Sequence, residues 1–230
     1  MSRPDAVSVV IPTLNAAAFL PDAVAQFAPA IADGLVTTVV VSDGGSRDGT
    51  VERAEAAGAV VVQGPAGRGG QLVRGAQAAC APWLLFVHAD TRLASGWIGA
   101  VRDFIASQGE DRAAAFAFAL DDDAPAARRL ERMVAWRCRL LALPYGDQGL
   151  LISRRLHDRL GGFRPIALME DVEFVRRIGR GRLRMLPVSA LTSAARYRRD
   201  GYLRRSLGNL GCLTLYFMGV PPRVIARLYG

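Results

Sequence analysis

Residues 39–50 read Val39-Val40-Val41-Ser42-Asp43-Gly44-Gly45-Ser46-Arg47-Asp48-Gly49-Thr50. An apolar β-branched run ending in a carboxylate and two glycines describes a buried strand that breaks into a sharp turn. Ser46 or Asp48 then stands where a capping residue starts a helix, which runs to Ala57 before Gly58 stops it. The same grammar extends in both directions. Upstream, Val7–Ile11 is a first strand that runs into Pro12-Thr13-Leu14-Asn15, and 19–31 has helical spacing. Downstream, 59–63 is a third strand, 64–70 a glycine-rich loop and 71–79 a helix. A fourth strand, 83–87, ends in His88-Ala89-Asp90. Continuous apolar strands separated by helices predict an α/β fold, Rossmann-like, with a mostly parallel central sheet covered on both faces. Such sheets bind ligands at the carboxyl ends of their strands, where the polar residues here collect.

The second half is less regular. The pattern predicts strands over 113–120, 149–152 and 183–188, and a long arginine-rich amphipathic helix over 125–143. A helical C-terminal segment, 202–218 and 223–229, is divided at Gly219 and Pro221-Pro222. The expected organisation is an α/β half over 1–115, a second half of the same domain over 116–200, and terminal amphipathic helices over 201–230.

Composition narrows the function classes. The chain has 230 residues, of which 51% are hydrophobic, so a sizeable core is expected. No stretch reads as a signal peptide or approaches the roughly 20 apolar residues of a membrane-spanning helix. The expectation is a cytoplasmic protein, peripheral at the inner membrane face at most. Every one of the 29 basic residues is arginine, and most lie beyond residue 115. That half meets something anionic or carries a solvated arginine surface; charge alone does not choose. Cys80, Cys138 and Cys212 form no paired motif, which argues against a disulfide framework or cysteine zinc site and predicts small buried residues. No interleaved aromatic–basic motif for nucleic acid is present. The glycine-rich loop does not follow the first strand with the spacing of a dinucleotide fingerprint, which excludes a Rossmann oxidoreductase.

The three strand ends together, in their order and spacing, resemble family 2 glycosyltransferases of the GT-A fold. In that family the first strand runs into a Pro-x-x-Asn-type turn, the second ends in Asp-Gly-Ser-x-Asp-Gly-Thr, and the fourth ends in an Asp-x-Asp metal motif. The likeness covers about residues 7–190. Within the family the chain is similar to the small radical-SAM/selenodomain-associated bacterial glycosyltransferases. The resemblance implies an inverting transfer of a sugar from a nucleotide-diphosphate donor, UDP being the common nucleotide. It implies donor contacts at Pro12, Thr13, Asn15, Asp43, Gly45, Ser46, Arg68, Gln71, Ala89 and Asp90, with Asp43 on the base. Ala16 stands where the family often has an acid. It also implies a divalent metal, manganese or magnesium, held by Asp90. His88 replaces the motif's first Asp; it could ligate the metal, hold a water or orient Asp90, or be a satisfied strand-end histidine.

Leu168-Met169-Glu170-Asp171-Val172-Glu173 resembles the family's Glu-Asp segment. By that match Asp171 is the catalytic base and Glu170 orients it or the acceptor; the same acids would suit a helix N-terminus. Tyr145, Asp147 and Gln148 match the region that faces the acceptor, and Gly161-Gly162-Phe163 matches a turn before the catalytic segment. Arg196-Tyr197-Arg198-Arg199 lacks the Gln-x-x-Arg-Trp motif of processive members, and an arginine there could fold over the diphosphate. The acceptor is unknown: a small molecule, lipid or glycan. The helices of 201–230 either lie on a membrane or pack against their own domain. Two other classes compete: a sugar nucleotidyltransferase, which would need a basic loop after the first strand, and a basic membrane- or nucleic-acid-binding module, which leaves the strand-end acids unexplained.

Overall fold

The computed structural model describes residues 3–229. In chain order the elements are β1 (Val7–Thr13), α1 (Leu20–Ala25), α2 (Ala28–Ala32), β2 (Val36–Asp43), α3 (Thr50–Ala56), β3 (Val60–Gln63), α4 (Arg68–Ala78), β4 (Trp83–Phe86) and β5 (Thr91–Leu93). There follow α5 (Trp97–Gln108), β6 (Ala113–Leu120), α6 (Pro125–Leu141), β7 (Leu150–Ser153), α7 (Arg154–Arg159), α8 (Glu170–Ile178), β8 (Leu183–Thr192), α9 (Ala195–Asp200), α10 (Tyr202–Phe217) and α11 (Pro222–Tyr229). One eight-stranded sheet has the order β3-β2-β1-β4-β7-β6-β8-β5. Only β7 and β5 run against the rest: β7 is antiparallel to β4 and β6, and β5 is antiparallel to β8. The expected α/β architecture with a mostly parallel sheet is present.

The continuous apolar runs have a direct physical outcome. Alternate residues of one strand point to opposite faces. Val9, Ile11, Val39, Val41 and Leu85 pack with Leu20, Phe27, Ala54, Trp97 and Phe104 on one face. Val10, Val40, Leu84 and Phe86 pack with Leu72, Ala76, Leu156, Val172 and Phe174 on the other. Both faces are therefore buried under helices. Gly75 lets α4 lie close on β1, since a Cβ there would sit 2.3 Å from Val10 Cγ1.

The departures from expectation have local causes. The helix expected over 19–31 is two, α1 and α2, because Pro29 lacks an N–H and its ring would meet the Ala25 carbonyl. The last central strand extends to Thr192 rather than ending at Val188. Its register against β6 shifts between Ala115 and Ala117, opposite the stretch that holds Pro187. A proline cannot donate to the ladder, and the register shift accommodates it without ending the strand. Cys138 and Cys212 are buried as expected, but Cys80 is exposed. Among the described residues no helix is long and apolar enough to cross a membrane.

Candidate active site

The first two strand ends form one hydrogen-bonded unit. Gly44 donates its N–H to the Thr13 carbonyl at 2.9 Å. Asn15 donates its N–H to Ser46 Oγ at 2.8 Å, and its own Oδ1 accepts the Arg47 N–H at 3.0 Å. Ala16 and Ala17 donate to Thr50 Oγ1 and Asp48 Oδ2. The polar residues of both motifs thus specify each other, which explains why the turns occur together.

At the centre stands Asp43, fully buried. Its Oδ2 accepts the N–H groups of Gly45 and Ser46 at 2.8 Å each, and its Oδ1 accepts Thr13 Oγ1 at 3.1 Å and Ser46 Oγ at 2.5 Å. Burial acts to raise the Asp43 pKa, but the bonds from Ser46, Gly45 and Thr13 outweigh it and hold the carboxyl below 3.8. In this structure the Asp43 carboxylate organises the turn, and Thr13 is buried with it. Gln71 is likewise buried, its Nε2 bonding the carbonyls of Thr13 and Ser42, so it ties α4 to the strand ends. The surface left to a ligand comes from Pro12, Asn15, Gly45 and Ser46, which are partly or fully exposed. Asp43→Ala is expected to destabilise the fold by about 3 kcal/mol, because four donors lose their acceptor. Denaturant unfolding checks this, and a loss below about 1 kcal/mol would contradict it.

Of the other expected site residues, Arg68, His88, Asp90, Tyr145, Asp147 and Asp171 line one cleft. Asp90 and His88 come from the end of the fourth strand, and Arg68 opens α4. Ala89, between His88 and Asp90, packs against the core. Burial, reinforced by the guanidinium groups of Arg68 and Arg196, pushes the His88 pKa well below 6.5. The imidazole is therefore neutral at pH 7 and keeps a lone pair for a metal or a proton. Gly146 lies against it: a Cβ there would stand 2.7 Å from His88 Nε2.

Residues 144–149 form a fixed shelf beside the cleft. Arg137 stacks over the Tyr145 ring at 3.5 Å. Gln148 does not face the cleft, contrary to expectation. It is buried, donates Nε2 to the Phe116 carbonyl at 2.9 Å, and accepts through Oε1 from Arg137, Cys138 and the Tyr145 N–H. Its task is to close the turn that carries Asp147. Asp147 has a buried Oδ1 without a hydrogen-bond partner. Burial raises its pKa to about 6; Arg137 opposes this, and Asp171 and Asp90 add to it.

Asp171 sits in the first turn of α8. Its Oδ2 accepts the Gly146 N–H at 2.7 Å and its Oδ1 the Val172 N–H at 2.7 Å, which fixes the carboxylate on the cleft wall. Glu170 points elsewhere, into a smaller, mostly apolar pocket shared with Asp171, His88, Phe86 and Phe163. Both Glu170 oxygens are buried without a hydrogen-bond partner. The Arg68 guanidinium is 3.5 Å away, close enough for charge attraction but long for a hydrogen bond.

Burial, with the neighbouring Asp171 charge, raises the Glu170 pKa from 4.5 to about 7. Between those values the unfolded chain has lost the proton while the folded protein keeps it. Folded stability thus falls as pH rises through that window, and the penalty is complete above about 7. Glu170→Gln is expected to raise the melting temperature more at pH 8 than at pH 5. An equal change at both pH values would contradict the assignment.

Sequence reasoning missed part of the cleft wall. Thr192 and Ser193 at the end of β8, and Arg205, Asn209 and Cys212 on α10, also line it. Of the arginine cluster 196–199, Arg196 lines the cleft, whereas Arg198 and Arg199 pair with Asp121 and Asp200. The signal available in sequence was weak: α10 alternates polar and apolar residues at helical spacing, which marks a two-sided helix without saying what either side meets.

Among the described residues no three His, Cys, Asp or Glu side chains converge as a complete metal cage. Asp90 and the neutral His88, which line the same cleft, would still offer an oxygen and a nitrogen ligand to a divalent ion whose shell phosphate and water complete.

Residues 8–167 match the family model for glycosyl transferase family 2, which covers all three strand ends and stops short of Glu170. Glycosyltransferase AglJ from Haloferax volcanii is 43% identical over 93 residues, which are 39% of this chain and 29% of that protein. The match thus spans under a third of that relative's length. Glucosyl-3-phosphoglycerate synthase from Mycobacterium tuberculosis shares the fold. Its complex with Mn2+, UDP and glucosyl-3-phosphoglycerate aligns at a TM-score of 0.61 and 22% identity, covering 94% of this chain and 81% of that one. Its complex with Mn2+, UDP-glucose and phosphoglyceric acid aligns at 0.57 and 25% identity, covering 79% and 69%. With residues 8–167, most of the chain, matched to the family model, this chain belongs to glycosyl transferase family 2.

Proposed function

We propose that this protein transfers a glycosyl group from a UDP-sugar to an acceptor hydroxyl in one inverting step, with Asp171 as the base. The observation that carries the reading is that Asp90, His88 and Asp171, separated in sequence, line one cleft. The acceptor oxygen attacks the anomeric carbon, the bond from that carbon to the diphosphate oxygen breaks, and its electron pair leaves with the diphosphate. The acceptor proton passes to an Asp171 oxygen, whose orientation is set by the N–H groups of Gly146 and Val172.

Manganese or magnesium held by Asp90 and His88 would supply positive charge to the departing diphosphate. Arg68 and Arg196 add fixed guanidinium charge on the same side. The turn surface of Pro12, Asn15, Gly45 and Ser46 receives the nucleoside, and the 144–149 shelf with Tyr145 and Asp147 faces the acceptor. UDP-glucose and Mn2+ in the complex of a protein with the same fold support this donor and cofactor.

The test is release of nucleoside diphosphate from a panel of UDP- and GDP-sugars, with manganese or magnesium, in the presence of candidate hydroxyl acceptors including phosphoglyceric acid. Metal-dependent release that rises with one acceptor is expected. No release from any donor in either metal would overturn the proposal.

A further inference from the structure

The outer side of α10 carries Leu203, Leu207, Leu210, Thr214 and Phe217, all exposed. Steps of four and three residues keep them on one helical face. Thr214 apart, these are large apolar groups left exposed: Leu203 is 74% exposed, and Leu207 and Leu210 are 57% exposed each. The helix is two-sided. Its opposite side buries Cys212 and Leu213 and, through Arg205 and Asn209, walls the cleft. The exposed stripe is therefore not needed to hold α10 on its domain.

The neighbouring helices repeat the pattern. On α6, which packs beside α10, Met133, Trp136 and Leu140 are exposed at spacings of three and four, with Arg129, Arg132 and Arg139 exposed among them. On α11, Val224 and Leu228 are exposed beside Arg223 and Arg227. No Asp or Glu occurs after Asp200.

We propose that α10, with α6 and α11, is a docking face for an anionic lipid bilayer. Apolar side chains enter the acyl boundary, and the arginines beside them meet lipid phosphates while their stems cover apolar surface. An exposed Trp such as Trp136 suits the headgroup level. Charge decides against a second copy of this chain: two arginine-rich faces without acids along α10 and α11 would oppose like charges. Docking would hold the cleft one helix thickness, about 10 Å, behind the bilayer surface. This inference concerns binding and stands whether or not the proposed donor and base are correct.

The test is sedimentation of the full chain with vesicles of phosphatidylglycerol mixed with phosphatidylcholine, and with phosphatidylcholine alone. Point variants are used because α10 also walls the cleft. Wild type is expected to bind the anionic vesicles at least tenfold more tightly than the neutral ones. Leu207→Glu with Leu210→Glu is expected to lose at least tenfold of that binding with an unchanged circular dichroism spectrum and melting temperature. Trp136→Ser on α6 should weaken it several-fold. Absence of wild-type binding to anionic vesicles, or equal binding by the double variant, would overturn the proposal. So would a solution dimer, seen by light scattering, that the double variant dissociates while vesicles bind neither form.

Discussion

Asp171→Asn is expected to lower kcat by about 10³ while leaving donor affinity within about threefold. The argument is geometric. Asp171 faces the cleft, and its two oxygens are aimed by the N–H groups of Gly146 and Val172. An amide keeps the shape but cannot take the acceptor proton, so the loss falls on the chemical step. One amide edge carries N–H groups and would oppose one of those backbone donors, so a modest shift of the 144–149 shelf is expected too. That shift would appear as a raised KM for acceptor and not for donor. Steady-state kinetics with donor and acceptor varied separately check this. Near-normal kcat would remove Asp171 as the base. If Asp147→Asn then abolished turnover, the role would pass to Asp147, whose pKa of about 6 and unpartnered Oδ1 also suit proton acceptance.

Asp90→Ala is expected to reduce turnover by about 10³ or more and to remove metal-dependent diphosphate binding, with the fold retained. Asp90 lies at the end of the fourth strand and lines the cleft, so its truncation leaves the sheet and both core layers intact. The fixed charges of Arg68 and Arg196 remain. Residual diphosphate binding that no longer depends on metal is therefore the expected signature. Calorimetric titration of UDP with manganese and then with EDTA, in wild type and variant, measures it. Full turnover by the variant, or by wild type in EDTA, would contradict the metal assignment.

The first half of the fold was legible because β1, β4 and the end of β2 are buried on both faces and so read as continuous apolar runs. The first two strands also end in residues whose polar groups bond one another, as Asn15 does with Ser46 and Arg47. Local pattern and long-range contact gave the same answer there. In the second half they diverge. The apolar pattern stopped at Val188, but the backbone continues as a strand to Thr192 through a register shift opposite Pro187. Gln148 looked like a ligand contact because polar residues between glycines mark a turn, and only the fold shows its amide closed on Phe116 and Arg137. Asp43 shows a similar limit: residue type and position revealed a strand-end carboxylate, but not that all its acceptors are taken up internally. The cleft contribution of α10 was hidden because both sides of that helix are partly apolar, so periodicity could not tell the wall of a site from an outer face.

Thermal unfolding with a panel of nucleoside diphosphates, each with manganese, magnesium or EDTA, tests the central claim most directly. Ligand at about 100 times its dissociation constant stabilises by about 2.7 kcal/mol. In a chain of this size that corresponds to a rise of several degrees. At least one diphosphate, UDP first among them, is expected to give that rise in manganese or magnesium and to lose most of it in EDTA. No rise with any diphosphate in either metal would contradict a nucleotide-sugar site at these strand ends.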